Sequence, residues 1–493
     1  MMRRSHRPFS RLLFSIFSVA SALVLASCGQ VPLTGGRPYP PDFDNYGYPR
    51  AMVAVQNPPG GNGALQLIDV EHDTVNNQQD TVHDYSIKGF SGVLPLTIQD
   101  FPGSTEAYIY NTGTAPAFSN ASFIAVDTAT DSAGGSVPGL AGPSPGGFPQ
   151  GVGGIYISPD FKYVYAGSPL TNGGYFTVVN EGSGYVTRIP ESSVGKISLS
   201  PGGQTVMFFA NNANSDSNNV FQIVGVQQNS AYDCDQQILL KNATIGYDKP
   251  INALFSQDGT SAYILNCGPE CGGKTASVII LNTGDLLSAA NAGYTGTTGC
   301  NIAQAHTIAP AVLAPTDSIA IPGGATTALQ AGNTLFIAGQ QLQSSGYFGG
   351  FLTIVDLTSG QITGTYTIGD GYHFRMRLGD NNDTLWIGAQ GCQSGVQSVT
   401  GGITGCITMV PLTASGPDGS YTTSASGIVI EPAHGDAGGI APIIGYNKTY
   451  TVEGNQIFIY NNTDGSQKSN YYVQVTGTPK DIAFIDGSTI TGP

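Results

Sequence analysis

The feature that most restricts the fold of this chain is a strand–turn–strand unit that recurs along it. Each unit has a short apolar strand, a tight polar turn and a second strand of β-branched and aromatic residues, and a third strand follows after a loop. The clearest units occupy residues 153–167, 195–211, 251–266, 325–339 and 374–390. Their apolar residues alternate with a period of two, which predicts strands, and no segment after Cys28 keeps a helical period. The sequence therefore predicts an all-β protein built from repeats.

Three stretches, LIDVEHDTV, SPDFKYVYAG and VDLTSGQITGTYTIG, resemble the bacterial cell-surface β-propeller repeat of the Tyr-Val-Thr-Asn type. The resemblance covers most of residues 51–486, at the level of the motif. It implies that each repeat forms one four-stranded blade, with strands a to d running outward from a central channel. Propellers of this kind serve as binding platforms, and their relatives include lactonases and quinoprotein-like enzymes. The motif is specific for architecture and nearly silent about function.

Counting the second and third strands of the repeats gives eight blades. They span residues 51–88, 93–135, 153–190, 195–241, 251–321, 324–368, 373–413 and 438–475. The count becomes seven if the poorly patterned region 93–150 is not a full blade. The first blade lacks an inner strand before Ala51, whereas a spare strand at 479–485 follows the last blade. We expect this strand to complete the first blade and close the ring, so that residues 51–493 form a single propeller domain.

The first residues have the pattern of an export signal. Four arginines precede an apolar run that is short for a membrane-spanning helix. The following sequence, Leu25-Ala26-Ser27-Cys28, resembles the lipobox of bacterial lipoproteins. The resemblance implies a signal peptide at 1–27, acyl chains such as palmitate on Cys28, and an anchor in the outer membrane or at the cell surface. An ordinary cleaved signal with a chance cysteine is the alternative. Residues 28–50, rich in Pro, Gly and Tyr, would form a tether.

The charge balance excludes one class of partner. The four arginines are the only charged residues before Cys28, and removing them leaves 14 Lys and Arg against 33 Asp and Glu, a net charge of about −19. Nucleic acid would repel such a chain, so we exclude it as a partner. Only 10% of the residues are charged and 68 are glycine, which suits a β-protein with many tight turns and not a disordered one. We expect a monomer.

Six cysteines remain after Cys28, and an even number in an exported chain predicts three disulfides. They are Cys234, Cys267, Cys271, Cys300, Cys392 and Cys406. Six cysteines allow fifteen pairings. Their places in the blades favour Cys267–Cys271 within one b–c loop, Cys392–Cys406 at the base of another, and Cys234–Cys300 between neighbouring blades. Half a zinc site in Cys267-Gly-Pro-Glu-Cys271 is the alternative, but no second such pair and no nearby histidine accompany it. We therefore expect no metal and no cofactor.

Loop lengths point to one face of the propeller as the binding face. The a–b turns are tight, whereas many b–c and d–a connections are long, among them 128–151, 390–404 and 413–438. Long loops on a rigid scaffold usually carry binding, although sequence drift on an exposed rim would also lengthen them. We expect a ligand site around the channel mouth on this face.

The first candidate group for ligand binding is His373, Arg375 and Arg377. These residues alternate along the inner strand of the seventh blade, so they are expected to share one side. In a chain with few cations, two neighbouring arginines suit an anionic ligand such as a carboxylate-bearing glycan or peptide. Pairing of the arginines with buried carboxylates between blades is the structural alternative.

The second candidate group is Glu431, His434 and Asp436, in the next d–a loop. These residue types suit a metal ion or acid–base chemistry. The alternative is that they are three solvated side chains in a glycine-rich loop. Asp380 and Asp383 fit a turn better than a calcium site, because no further ligands are evident.

The function classes that remain are a binding platform and an enzyme. The chain has no nucleophile elbow, P-loop, zinc-protease helix or EF-hand loop, so no catalytic residue is identified. We favour a membrane-anchored, non-enzymatic platform that binds a protein, a glycan or another component of the cell envelope. The rival is a lactonase-like or carbohydrate-active propeller enzyme with its site at the channel mouth.

The anchor can be tested by replacing the cysteine of the lipobox. Without a thiol at position 28 no acyl chain can be attached, so Cys28→Ser should move the protein from the detergent phase to the aqueous phase in detergent partitioning. Continued membrane retention of this variant would rule out Cys28 as the anchor.

Overall fold

The computed structural model describes residues 49–56, 63–75, 86–100, 105–113, 122–136, 154–158, 163–167, 175–180, 186–190, 194–201, 205–210, 221–229, 232–240, 248–285, 306–311, 317–392, 404–415 and 419–485. Most of these residues lie in strands. Single turns of 3₁₀ helix occur at Gly268–Cys271, Asp380–Asn382 and Ala425–Gly427. None of the helices described is long and apolar enough to cross a membrane.

The first half of the chain forms four sheets, and the strands of each follow in order from the inner strand outward. Blade 1 contains β34 (Thr478–Phe484), β1 (Arg50–Gln56) and β2 (Ala64–Asp69). Blade 2 contains β3 (Pro95–Asp100), β4 (Glu106–Asn111), β5 (Ser122–Asp127) and β6 (Ser132–Ser136). Blade 3 contains β7 (Gly154–Ile157), β8 (Tyr163–Gly167), β9 (Tyr175–Asn180) and β10 (Val186–Pro190). Blade 4 contains β11 (Val194–Leu199), β12 (Thr205–Ala210), β13 (Phe221–Asn229), β14 (Tyr232–Leu240) and β18 (His306–Ala311).

The second half forms four more sheets and a small hairpin. Blade 5 contains β15 (Pro250–Phe255), β16 (Ser261–Asn266), β17 (Ser277–Asn282) and β19 (Asp317–Ala320). Blade 6 contains β20 (Thr327–Ala331), β21 (Thr334–Leu342), β22 (Phe348–Asp356) and β23 (Gln361–Ile368). Blade 7 contains β24 (Tyr372–Leu378), β25 (Thr384–Cys392), β26 (Thr404–Pro411) and β29 (Val429–Pro432), and the hairpin β27 (Thr413–Ser415) and β28 (Ser420–Thr422) follows β26. Blade 8 contains β30 (Ala437–Ile443), β31 (Lys448–Glu453), β32 (Gln456–Asn461) and β33 (Gln467–Val473).

The sheets are arranged in a ring, because each inner strand packs against the inner strands of the sheets before and after it. The contacts run from β34 to β3, from β7 through β11, β15, β20, β24 and β30, and back to β34. Gln99 joins β3 to β7, since its side-chain amide exchanges two hydrogen bonds with the backbone of Ile157 at 3.0 and 3.2 Å. The predicted β-propeller is confirmed. Seven of its sheets have four or five strands, and region 93–150 supplies one of these.

Apolar side chains fill the spaces between neighbouring blades. One cluster joins blade 8 to blade 1 and includes Ile443, Tyr450, Val53 and Ile482. Others join blades 1 and 2, 2 and 3, 5 and 6, 6 and 7, and 7 and 8. The period-two alternation of each strand directs its apolar residues to these contacts between sheets, so every blade depends on its neighbours for a core.

The ring closes through the C-terminal strand. Strand β34 pairs antiparallel with β1, from Ala51 opposite Phe484 to Gln56 opposite Thr478. It is the inner strand of blade 1, as predicted. Beyond β2 this blade continues only as a bridge between Gln66 and Ser86 in the described part of the chain, where the sequence predicted a full fourth strand.

A buried lysine fastens the same seam from blade 8. The Lys448 ammonium donates hydrogen bonds to the carbonyl of Val70 and to the carboxylate of Asp73, and the Tyr450 hydroxyl also donates to Asp73. Burial lowers the pKa of Lys448, while Asp73 opposes that shift. A charge this deeply buried is tolerated because it has both a carbonyl and a carboxylate as partners.

Two boundaries differ from the prediction. Strand β18 was expected in the fifth blade, but it runs parallel to β14 in blade 4 and so gives that outer strand a hydrogen-bonding partner. Strand β1 begins at Arg50, which was assigned to the tether. Arg50 is buried and paired with Asp131 of blade 2, and it also donates a hydrogen bond to the Thr128 carbonyl at 2.9 Å. This pair fixes the start of the propeller.

Closure predicts the effect of a C-terminal truncation. Deleting residues 478–493 removes β34 and exposes the unpaired N–H and C=O groups of β1, so the midpoint of thermal unfolding should fall sharply and the protein should aggregate. Deleting only residues 487–493 leaves β34 intact and is the matched control. Equal thermal stability of the two truncated proteins would contradict closure through β34.

Candidate functional site

Charged side chains from separate blades meet on the axis of the ring. Lys196 comes from β11, Arg375 and Arg377 from β24, Asp481 from β34, and Asp100 from β3. Arg375 interacts electrostatically with Lys196 of blade 4 as well as with the aspartates of blades 1 and 2. Groups from blades so far apart around the ring can reach one another only across its centre. We call these five residues the axial cluster.

Arg375 and Asp481 form the central ion pair of the axial cluster. The guanidinium donates from two nitrogens to the two carboxylate oxygens, and the Nη2–Oδ2 distance is 3.2 Å. The carboxylate, 2% exposed, also accepts the backbone N–H groups of Ile98 at 3.0 Å and Ile482 at 2.9 Å. Burial disfavours the charge of Arg375, but Asp481 outweighs burial and raises its pKa. The pair links blades 1, 2 and 7, so it has a structural role.

A glycine makes room for this ion pair. Blade 8 lies between blades 7 and 1, and its inner strand passes beside the Asp481 carboxylate at Gly439. A methyl group at Gly439 would collide with an Asp481 carboxylate oxygen and with the Ile482 nitrogen. Only glycine lets the backbone approach the carboxylate this closely.

Arg377 lies on the same strand but forms no ion pair with a carboxylate of the described residues. Its Nη1 donates to the neighbouring Met376 carbonyl at 3.1 Å, and no residue of the described ranges forms an ion pair with it. The side chain is exposed, yet burial by the surrounding protein and repulsion from Arg375 lower its pKa. Burial raises the pKa of Asp100, against the attraction of Arg377. Arg377 is thus a cation that faces solvent inside a protein enclosure.

Lys196 lies near the other end of the axial cluster. Its Nζ is 5.8 Å from the centre of the Tyr372 ring, which is 43% exposed at the first position of β24. Burial, together with Arg375, lowers the pKa of Lys196 to about 8. Strand positions order the cluster along the axis. Tyr372 and Lys196 lie towards the face of the d–a connections, the Arg375–Asp481 pair lies in the middle, and Arg377 and Asp100 lie towards the face of the a–b turns.

The structure holds Tyr372 through a relay of hydrogen bonds that begins at a disulfide. Cys267 and Cys271 are bonded, with their Cα atoms 5.7 Å apart, and the turn between them carries Glu270. The Glu270 carboxylate accepts the backbone and side-chain N–H groups of Gln340, each at 2.9 Å. The Gln340 side chain in turn accepts the N–H of Gly371 at 2.8 Å, next to Tyr372. The b–c loop of blade 5 therefore positions the mouth of blade 7.

The sequence predicted that His373, Arg375 and Arg377 share one side of β24, and this prediction is wrong for His373. A bulge between His373 and Arg375 shifts the register of β24 against β25, so His373 turns to the buried side with Met376. His373 is 1% exposed, its Nε2 lies 2.8 Å from the Gly369 carbonyl oxygen, and its Nδ1 has no hydrogen-bond partner. Burial lowers its pKa to about 4, so the imidazole is neutral and Nε2 carries the donated proton. The buried position of His373 does not support a role in ligand binding, and that role stays a prediction.

The second candidate group lies between blades 7 and 8, away from the axis. Its predicted place in a d–a loop is wrong for Glu431, which lies in β29, the outer strand of blade 7, opposite Ile407. His434 Nδ1 is 2.9 Å from an Oε2 of Glu453, and the imidazole stacks on Phe458 at 3.9 Å. Glu453 is buried and also accepts the Tyr460 hydroxyl at 2.8 Å. The hydrogen bond to Glu453 raises the pKa of His434. Burial has the largest effect on Glu431 and raises its pKa, and the negative charge of Glu453 raises it further.

Asp436, the third member of this group, is exposed. Its backbone carbonyl accepts the N–H of Gly454 at 3.0 Å, and its carboxylate forms no hydrogen bond within the described residues. The three predicted residues therefore do not converge on one ligand position. The arrangement gives an imidazole held by a buried carboxylate, and the His434 side chain is 46% exposed.

The second predicted disulfide in this region is also present. Cys392 and Cys406 join β25 to β26 at the base of the 393–403 loop, with their Cα atoms 6.0 Å apart. The Asp370 carboxylate lies close to both sulfurs, but the disulfide occupies the cysteines, so they offer no thiolate to a metal. Cys28, Cys300 and the Cys234 side chain fall outside the described residues, and their roles stay predictions.

The sequence analysis missed Lys196, Asp100, Asp481, Glu270 and Glu453. Lys196, Asp100 and Asp481 are charged residues in inner strands of otherwise apolar alternation, as in Thr-Pro-Lys-Asp-Ile-Ala-Phe around Asp481. Glu453 ends the second strand of blade 8, and Glu270 lies in a loop turn. A charge at an inner-strand position, where an apolar residue is expected, is the signal that identifies such residues.

Comparisons with known proteins support the fold. No protein-family model and no curated protein sequence matches the chain. The dihydro-heme d1 dehydrogenase NirN in complex with DHE is 12% identical, with a TM-score of 0.54 over 89% of this chain and 75% of NirN. Hydrazine synthase of Kuenenia stuttgartiensis (12% identity, TM-score 0.46, 79% and 99% covered) and the periplasmic gluconolactonase PpgL of Pseudomonas aeruginosa (12%, 0.43, 88% and 98%) also match. At such identities the likeness concerns the propeller fold alone.

The His434–Glu453 contact predicts a pH dependence. Because the folded pKa of His434 is raised above 6.5, its contribution to stability is complete below pH 6.5 and is lost as the pH rises through the folded value. The contribution should stay below about 1 kcal/mol, since the imidazole is half exposed. Glu453→Gln should lower the pKa of His434, measured by NMR titration of its ring protons. The resonances of His72, which contacts Asp69, are the internal control. An unchanged His434 titration in this variant would contradict the assignment.

Proposed function

We propose that the protein binds a carboxylate-bearing ligand in its axial channel. One observation carries the proposal: Arg377 and Lys196 are cations inside the ring, and in the described part of the chain neither forms an ion pair with a carboxylate. Three cations and two carboxylates make the axial cluster positive while the whole chain has a net charge of −15. An isolated positive centre in an acidic protein selects anions that reach it.

Burial decides how much such a cluster contributes to affinity. At an exposed rim a charge pair contributes roughly 0–1 kcal/mol. Inside a protein enclosure the effective dielectric constant is lower, and the same pair interacts several-fold more strongly. The lowered pKa values of Lys196 and Arg377 indicate that each would gain from an anion brought close to it.

We further propose the cellular setting that the sequence predicts. The lipobox around Cys28 supports an exported lipoprotein held in the outer membrane or at the cell surface. The repeat motifs support membership of the Tyr-Val-Thr-Asn propeller family. In this setting the ligand would be a glycan, a peptide or another component of the cell envelope that carries a carboxylate. The exposed Leu342 and Tyr347, at the tip of the β21–β22 hairpin on the long-loop side, add apolar surface for a larger partner.

An enzyme remains the second candidate function, and one observation favours it. Burial moves the pKa of Lys196 down and that of Asp100 up, so that both shift towards neutral pH within one enclosure. Shifts in opposite directions in a shared site are typical of acid–base pairs in active sites. The fold itself does not distinguish the two functions, because propellers host both.

Galacturonate and galactose make a matched pair of probes, since they differ in a carboxylate at one carbon. The wild-type protein should bind galacturonate more tightly than galactose in isothermal titration calorimetry, and added salt should weaken only the galacturonate binding. Equal affinity for the two sugars would contradict a carboxylate site.

Two single substitutions on β24 separate binding from structure. Arg377→Gln removes a cation without a carboxylate partner, so galacturonate affinity should fall by roughly tenfold while stability changes by no more than about 0.5 kcal/mol. Arg375→Gln leaves Asp481 buried without its ion pair and should destabilise the fold by about 3 kcal/mol. If Arg377→Gln bound galacturonate as well as the wild type does, Arg377 would have no place in the site.

A further inference from the structure

Lys196 is the member of the axial cluster whose surroundings are least suited to a permanent charge. No carboxylate of the described residues pairs with it, and its ammonium group faces the flat side of the Tyr372 ring. The two axial carboxylates lie elsewhere, since Asp481 is paired with Arg375 and Asp100 lies near Arg377. The charged neighbour that shifts the pKa of Lys196 is Arg375, which is also positive.

These surroundings increase the fraction of Lys196 that is present as the neutral amine. Repulsion by a guanidinium and removal from water both disfavour the ammonium form, and burial with Arg375 brings the pKa of Lys196 to about 8. Burial also raises the pKa of Tyr372, and so does the charge of Glu270. The Tyr372 hydroxyl therefore stays protonated and supplies no phenolate to hold the ammonium. A lysine next to another cation is a recognised form of activated nucleophile.

We propose that Lys196 forms an imine with the carbonyl group of an aldehyde acid or oxo acid whose carboxylate is held by the axial arginines. The proposal rests on the proposed function and narrows its ligand class from carboxylates to carboxylates that also carry a carbonyl group. The position of Arg375 between Lys196 and Arg377 on the axis supports it, because one ligand would extend from the amine to the guanidinium groups.

The step balances with the groups named. The lone pair of Lys196 Nζ attacks the carbonyl carbon, a C–N bond forms, and the carbonyl oxygen takes up one of the two amine protons to give a carbinolamine. The second amine proton then leaves with the hydroxyl group as water, and a C=N bond remains. Water reverses the step, so no oxidant or reductant takes part.

Reductive trapping tests the proposal on the full chain. The protein is incubated at pH 7 with 4-oxobutanoate and sodium cyanoborohydride, whose hydride converts the imine to a stable secondary amine, and the modified lysines are located by peptide mass mapping. At this pH the fraction of free amine is roughly 300-fold larger for a pKa of about 8 than for the ordinary 10.5. Lys196 should therefore be modified at least tenfold faster than the exposed Lys274, even though a less basic amine is a weaker nucleophile.

Matched probes and variants define the outcomes. Butanal has the same chain without the carboxylate and should modify Lys196 at least tenfold more slowly than 4-oxobutanoate. Arg377→Gln should reduce that preference. Lys196→Arg should abolish the adduct at position 196, and Lys274→Arg should leave it unchanged. The proposal is overturned if Lys196 is modified no faster than Lys274, or equally fast by the two aldehydes.

Butanoate separates failure of this proposal from failure of the proposed function. It carries the carboxylate but no carbonyl group, so it should bind and should slow the trapping of 4-oxobutanoate. Butanoate binding without any adduct on Lys196 would overturn the imine and leave the anion site in place. Absence of both would count against the anion site as well.

Discussion

The antiparallel pairing of β34 with β1 is the interaction on which the ring depends. These strands belong to opposite ends of the propeller sequence, and their hydrogen bonds remove the two open edges that a linear row of blades would have. Strand β34 also brings the Asp481 carboxylate to the axis, where it joins Arg375 to the backbone of Ile98. The strand that closes the ring therefore also builds the centre of the channel, and stability and site cannot be separated at this position.

Two arginines on one strand illustrate how partners decide the role of a charge. Arg375 is satisfied by Asp481, so its charge serves the scaffold. Arg377 has the same side chain two positions further, but it forms no ion pair within the described residues and is attracted to Asp100 only at longer range. A buried pair is worth little more than the apolar groups that could replace it, whereas an enclosed cation without a partner retains its full attraction for an anion. The anion binding that we propose thus depends on incomplete neutralisation of the axial cluster.

The repeat pattern was sufficient to predict the propeller, its closing strand and two disulfides, because these follow from local alternation and from cysteine spacing. It was not sufficient for the site. His373 was placed wrongly because a bulge, which inserts one residue without changing the apolar pattern, reverses the side of the strand. Asp481 was missed because its partner Arg375 lies in another blade. Glu453 was missed because its partner His434 lies 19 residues earlier, in the connection that precedes blade 8. Such pairings depend on how the sheets are arranged in space, and the sequence of a single strand does not predict that arrangement.

Closure by the last strand also has a consequence for how the chain folds. The hydrogen-bonding partners of β1 on its inner side lie more than 400 positions later in the chain, so the first blade stays incomplete until the end of the propeller has been synthesised. Contacts between such distant residues form slowly, because a long loop has to close before they gain any hydrogen bond. In the meantime the inner edge of β1 can pair with any exposed strand nearby. During folding, ring closure therefore competes kinetically with aggregation through the edge of β1. A molecular chaperone that shields β1 would favour closure.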